Sequence, residues 1–328
     1  MKVAQLLEVR RQNWQELELL CDQFQRTRRS RQPAAAVTRF TDLYRAACAD
    51  LALADAYQLP PDTVQYLHQL VGRAHNQLYH SRPFDLKYWG QVLLYEVPQK
   101  IFHDRCVHVA FCVFWGVFIL SAILAYSRTL WPTYAEEMLG DAMISQLEEN
   151  FREPLQDRPY SVNVLMAAFY ISHNTGIGMK CFTGGLLIVP GMFITLFNAG
   201  FLGASFGYMA RPDVPEGKNF FEFVTAHGPF ELTAIVLSAG AGLRLGVSLL
   251  STRGYARLDS LRRAASDAMP IMGAFVVLFF LAALTEAFIS PTSLPYWVKA
   301  AVAVIDSGLL TFYFVVLGFP RRPADAAG

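Results

Sequence analysis

From Cys106 to Tyr126 the chain reads CVHVAFCVFWGVFILSAILAY, with no carboxylate, lysine or arginine. A helix of roughly 20 mainly apolar residues covers the hydrocarbon core of a bilayer, so this stretch is expected to cross one. It divides the sequence. A polar, charge-rich region precedes it, and apolar segments recur from there to the C-terminus. Charged residues make up only 17% of the 328, against about 25% in soluble domains, and that deficit implies an integral membrane protein, expected in the cell membrane. A net charge of +1 supplies no basic face and excludes nucleic acid as a partner.

Residues 1–105 read as a cytoplasmic helical domain. Leu6, Val9, Leu17, Leu20 and Phe24 fall on one face of a first helix, followed by the basic run Arg26, Arg28, Arg29 and Arg31. Pro33 opens a second helix as its first residue, with Phe40, Leu43, Tyr44, Ala47 and Leu51 on one side. Pro61 starts a third, carrying Val64, Leu67, Leu70, Val71, Ala74 and Leu78. Residues 84–104 form an amphipathic juxtamembrane helix that Pro98 is expected to kink. The first 30 residues lack the apolar core of a signal peptide, so the N-terminus is expected in the cytoplasm. The five cysteines form no CxxC or Cys/His pattern and are expected as free thiols.

The expected fold is all-α: a polytopic membrane protein with about six transmembrane helices behind this N-terminal domain. The spans are 106–126, 162–179, 182–209, 229–250, 268–289 and 297–317, with a tail at 318–328. The 127–161 loop carries seven acidic residues against three arginines. The 251–267 loop holds Arg253, Arg257, Arg262 and Arg263, and the tail holds Arg321 and Arg322. Basic residues accumulate on the cytoplasmic side. Six spans with both termini inside place every basic segment there and leave the acidic loop outside. Residues 135–155 in that loop read as an amphipathic helix. The 162–179 span contains Ser172, His173 and Asn174 and is alternatively re-entrant.

Charges inside spans are rare and usually face the bundle interior. Here they are Glu231 and Arg244 in the fourth span, Glu286 in the fifth and Asp306 in the sixth, with His173, Asn174, Asn198 and His227 as uncharged companions. In Thr225-Ala-His-Gly-Pro-Phe-Glu231, Gly228 falls at the helix cap and Glu231 at the third position, where a carboxylate bonds back to free amides. Alternatively His227, Glu231 and Glu286 share one face and bind a cation or exchange protons. HxxxE alone matches no specific metal spacing, so no metal and no cofactor are expected. Arg244 reaches the cytoplasmic interface or pairs with Asp306. Gly203 and Gly207 on one span, and Gly242 and Gly246 on another, form small-residue ridges for helix packing.

These residues carry a resemblance. FTDLYRAACADL (40–51), VGRAHNQLY (71–79), YISHNTGIGMKCF (170–182), FNAGFLG (197–203), HGPFELTAIVLSAGAGLRLG (227–246) and LTEAFISP (284–291) occur in this order. With them the chain resembles the stage II sporulation protein M family of membrane proteins. The resemblance implies a polytopic protein with a cytoplasmic helical N-domain, whose namesake anchors or localises peptidoglycan-degrading partner proteins. It implies no established catalytic residues. Carried over, the motif residues are His173, Asn174, Asn198, Gly200, Gly203, His227, Gly228, Glu231 and Glu286.

Three functions are weighed. The first is a membrane scaffold that organises protein partners, surrounded by membrane lipid, with self-association left open. A transporter or channel subunit using the His/Glu cluster comes second. An intramembrane enzyme is last, because no GxSxG, HExxH or P-loop occurs. The expectation is therefore a non-enzymatic scaffold.

Overall fold

The fold is taken from a computed structural model that describes residues 3–26, 33–78, 90–155 and 158–320. Among these residues the regular structure is entirely helical. The chain divides into two compact units, residues 1–86 and 87–328.

The first unit is three helices: α1 (Val3–Arg26), α2 (Ala34–Ala56) and α3 (Pro61–Leu78). Helical spacing brings Trp14, Leu17 and Cys21 against Phe40, Leu43, Ala47 and Ala54, and both against Leu67, Leu70 and Ala74. Pro33 is the cap rather than the first helical residue, with φ −60° and ψ 139°. Asp50 is fully buried in this core; Arg10 bonds it and Trp14 Nε1 donates to it at 2.9 Å. Burial pushes the Cys21 thiol up to about 11. The basic run after Arg26 lies outside the described residues, as does the start of the segment expected at 84–104.

The second unit begins with a widened i→i+5 turn, Val92–Glu96, leading into α4 (Val97–His103). The widening directly precedes Pro98, whose missing N–H spoils the regular ladder there. The boundary falls at Leu86 rather than 105 because this segment packs on membrane helices. Tyr313 donates to the Leu93 carbonyl at 2.6 Å, and Lys100 lies 3.9 Å from Asp267.

Next come α5 (Arg105–Tyr126), α6 (Tyr134–Leu139), α7 (Asp141–Phe151), α8 (Tyr160–Gly185), α9 (Val189–Met209), α10 (Gly217–Val224), α11 (Gly228–Leu250), α12 (Arg257–Phe288) and α13 (Tyr296–Thr311). The last continues as an i→i+5 turn over Phe312–Val316. Five helices are long and apolar enough to cross a membrane: α5, α9, α11, α12 and α13 with its extension. Helix α8 has 26 residues, about 39 Å at 1.5 Å each. It is unbroken, so the chain turns at Leu186–Ile188 and not near Lys180, which is exposed on the helix. Gly185 and Gly191 meet backbone to backbone at this corner.

Two further boundaries differ from expectation. Helix α12 starts at Arg257, so most of the expected 251–267 loop is helix. Its first turns bury Ser260, Ala264 and Ala268 and expose Arg262 and Arg263, a charged amphipathic pattern that hydropathy does not register. The helix expected at 135–155 is split at Gly140, whose φ of 79° suits glycine.

The glycine ridges meet different partners. Gly203 and Gly207 lie on the Phe118 and Ala122 carbonyls of α5, whereas Gly242 and Gly246 lie on the Phe182 and Gly185 carbonyls of α8. All five cysteines are free thiols.

Candidate functional site

Helix α11 carries a polar centre near each end. Residues 231 and 244 are 13 positions apart, about 20 Å along a helix.

The first centre forms where α11 begins. Pro229 sits at the second helical position, so His227 is the cap and Glu231 the fourth residue, one further along than expected. The cap residue His227 makes no side-chain cap bond, and Glu231 lies in the first turn. The i, i+4 spacing instead stacks His227 and Glu231 on one face, with His227 Nε2 3.7 Å from Glu231 Oε2. Helix α12 brings Glu286 to them. One donor atom from each of the three residues lies within 4.8 Å of the others. His227 is 4% exposed and Glu286 9%.

The surroundings orient the imidazole. Its Nδ1 hydrogen-bonds the Ser290 hydroxyl at 2.9 Å, and Phe223 meets the ring edge-on. Lys299 Nζ on α13 donates to the Ser290 carbonyl at 2.7 Å. Asn174 and Arg158 lie close to Glu286. Glu286 Oε2 and Asn174 Nδ2 are buried without a hydrogen-bond partner among the described residues. Two carboxylates this close in an apolar surround repel, and a positive charge or a proton between them relieves the repulsion.

Of the expected site residues, His227, Glu231, Glu286 and Asn174 come together. His173 does not: it is exposed and stacks on Phe169 at 5.5 Å. Asn198 donates back to the Ile194 carbonyl of its own helix at 2.8 Å. Gly200 instead offers its carbonyl to Ser121 at 2.5 Å.

The second centre corrects Arg244. Its partners are Asp104, which it bonds closely, and Asp267 at 2.7 Å, not Asp306. Asp104 also caps α5, accepting from the Cys106 and Val107 amides at 2.8 and 3.2 Å. Asp306 is 8% exposed, and its Oδ2 has no hydrogen-bond partner among the described residues.

Sequence reading missed Ser290, Lys299, Arg158, Asp104 and Arg211. Asp104 was findable, since aspartate directly before an apolar run is a preferred cap. Lys299 was a charge inside an expected span, the same signal that marked Glu286. Arg211 is buried and donates to the Ala125 carbonyl at 2.7 Å. Nothing in its local sequence announced that.

A different surface lies between α5, α11 and α13. It is an apolar groove of about 770 Å³, lined by Phe111, Trp115, Val236, Leu310 and Phe314 among others. Helix α13 borders it and is the least enclosed of the five apolar helices: 11% of its apolar window is buried, against 67% for α11.

Comparison with known proteins gives two matches. The family model for stage II sporulation protein M matches residues 107–291, and a domain of unknown function matches residues 4–80. No curated protein and no solved structure matches the chain. The matched region contains His227, Glu231, Glu286, Arg244 and Asp267, while Asp104 and Lys299 lie just outside it, and with it the chain belongs to the stage II sporulation protein M family.

Proposed function

We propose that the protein is a non-enzymatic anchor of the cell membrane that gathers partner proteins. In this reading α8 is a sixth crossing helix beside the five apolar ones, and both termini lie in the cytoplasm. Arginines at the α11–α12 turn then fall on the cytoplasmic side, as the positive-inside rule requires.

The observation that carries the reading is α13. A helix this sparsely enclosed in its own chain, flanking an apolar groove, offers surface to lipid or to another membrane helix. In lipid, helices associate through packing and shape, and a long groove supplies shape. The partner is a transmembrane helix of another protein. The N-terminal unit adds a cytoplasmic docking module of its own.

Photo-crosslinkers at Thr311 and Val315, both exposed and lining the groove, test this in native membranes. The expected result is a discrete crosslinked partner set, lost when the groove residue Leu310 is replaced by Trp. Recovery of lipid adducts alone rejects the reading.

A second reading, a transporter or channel subunit, draws on the His227–Glu231–Glu286 cluster. It requires solute flux in proteoliposomes that Glu231→Gln abolishes while expression and dispersity persist.

A further inference from the structure

We propose that His227, Glu231 and Glu286 bind one divalent transition-metal ion, of the Zn²⁺, Co²⁺, Mn²⁺ or Fe²⁺ class. This goes beyond the anchoring role and does not depend on it.

Four observations support the site. Three metal-ligating side chains from two helices place their donor atoms within 4.8 Å of one another. Tetrahedral ligands on bonds of about 2.0 Å are about 3.3 Å apart, so small side-chain rotations close the set around an ion. Glu286, nine-tenths buried, has an oxygen with no hydrogen-bond partner among the described residues. A buried carboxylate oxygen without a partner costs free energy even with Asn174 and Arg158 near the group, and a bound cation would supply that partner.

The imidazole is also prepared. Ser290 engages Nδ1 and leaves Nε2 on the side of Glu231. Metal-binding histidines commonly have their second nitrogen fixed by a neighbouring polar group in this way. Lys299 in turn fixes Ser290 through its carbonyl.

The donor set selects the ion class. Mg²⁺ and Ca²⁺ prefer all-oxygen shells, whereas an imidazole with two carboxylates suits zinc and its first-row neighbours. Two negative charges balance a divalent ion. The HxxxE spacing provides two ligands, and the packing of α12 on α11 brings the third, Glu286, within reach. Three protein ligands leave one position open, which water would take.

The test uses the full chain in detergent, purified without a histidine tag, stripped with chelator and dialysed against Co²⁺ or Zn²⁺. About one ion per chain is expected, the stoichiometry of a single three-ligand site. Glu231→Gln and Glu286→Gln should each weaken binding by more than about tenfold, and Ser290→Ala by roughly 10–100-fold. His173→Gln should change nothing. If Glu286→Gln does not stay monodisperse, the less buried Glu231→Gln is read. X-ray absorption of the Co²⁺-loaded wild type should show a single imidazole in an otherwise oxygen shell. The proposal is overturned if the wild type retains no stoichiometric metal, if Glu231→Gln retains it as well as wild type, or if the bound ion has two or more imidazoles.

Discussion

Arg244 bonds Asp104, a residue 140 positions earlier that also caps the first apolar helix. One carboxylate thereby fixes where α5 begins and holds it to α11, while Asp267 ties in α12. Three helices meet at a single guanidinium.

Asp104→Ala should be among the most damaging substitutions in the membrane unit. Its side chain is 1% exposed, while the Arg244 it leaves behind is 30% exposed and keeps Asp267, so losing the charged hydrogen bond should cost about 1.5–3 kcal/mol, with about 1 kcal/mol more for the lost cap. Asp267 is 48% exposed, so Asp267→Asn should cost about 1 kcal/mol or less. Unfolding free energies in detergent should separate the two by about 2 kcal/mol. Similar values for both would remove Asp104 from this role.

Glycine substitutions should sort by contact. Gly242→Ala drives a methyl into the Phe182 carbonyl, whereas Gly116→Ala meets nothing within 4 Å. Overpacking of this kind costs typically 1–3 kcal/mol, while Ala in an open helical position gains about 0.5–1 kcal/mol over Gly. Thermal unfolding of the two variants should therefore shift in opposite directions.

The N-terminal unit should weaken at high pH. Burial raises the Cys21 thiol from its ordinary 9.0 to about 11 in the folded state. Between these values the unfolded chain has lost the proton and the folded one keeps it, so stability falls as pH rises. The stabilisation is complete below 9.0 and is lost on passing about 11. N-ethylmaleimide should leave Cys21 unmodified at neutral pH in the native protein and modify it fully once denatured. Cys21→Ser should flatten the pH dependence.

Topology is open to thiol labelling. Cysteines introduced at Pro215 and Leu258 flank α11, and an impermeant reagent should reach the first only from outside and the second only from inside. Labelling of both from one side would refute six crossings.

How far the sequence could be read depended on the range of the interactions. Helix α5 was plain because 21 uncharged residues leave one solution in lipid. The turn after α8 was misplaced because Ser172, His173, Asn174 and Lys180 lower its hydropathy without interrupting its backbone. Likewise Arg257, Arg262 and Arg263 looked like a loop although they line the exposed face of a helix. His227 and Glu231 could be paired from their spacing. Glu286 could be set beside them only by its matching depth in the membrane, and Arg244 could not be joined to Asp104, since only tertiary packing decides which spans adjoin. Lys299 was overlooked for a simpler reason: it stands near a span's end, where lysine normally escapes to the interface.

Ser290 gives its hydroxyl to one helix and its carbonyl to another, so it works as a hinge pin between them. Because the last helix is gripped so lightly elsewhere, whatever leans on it from the side pulls on that pin first. The imidazole at the other end shares that pin through its Nδ1. Movement at the rim of the bundle thus has a short mechanical route to its best-hidden charges.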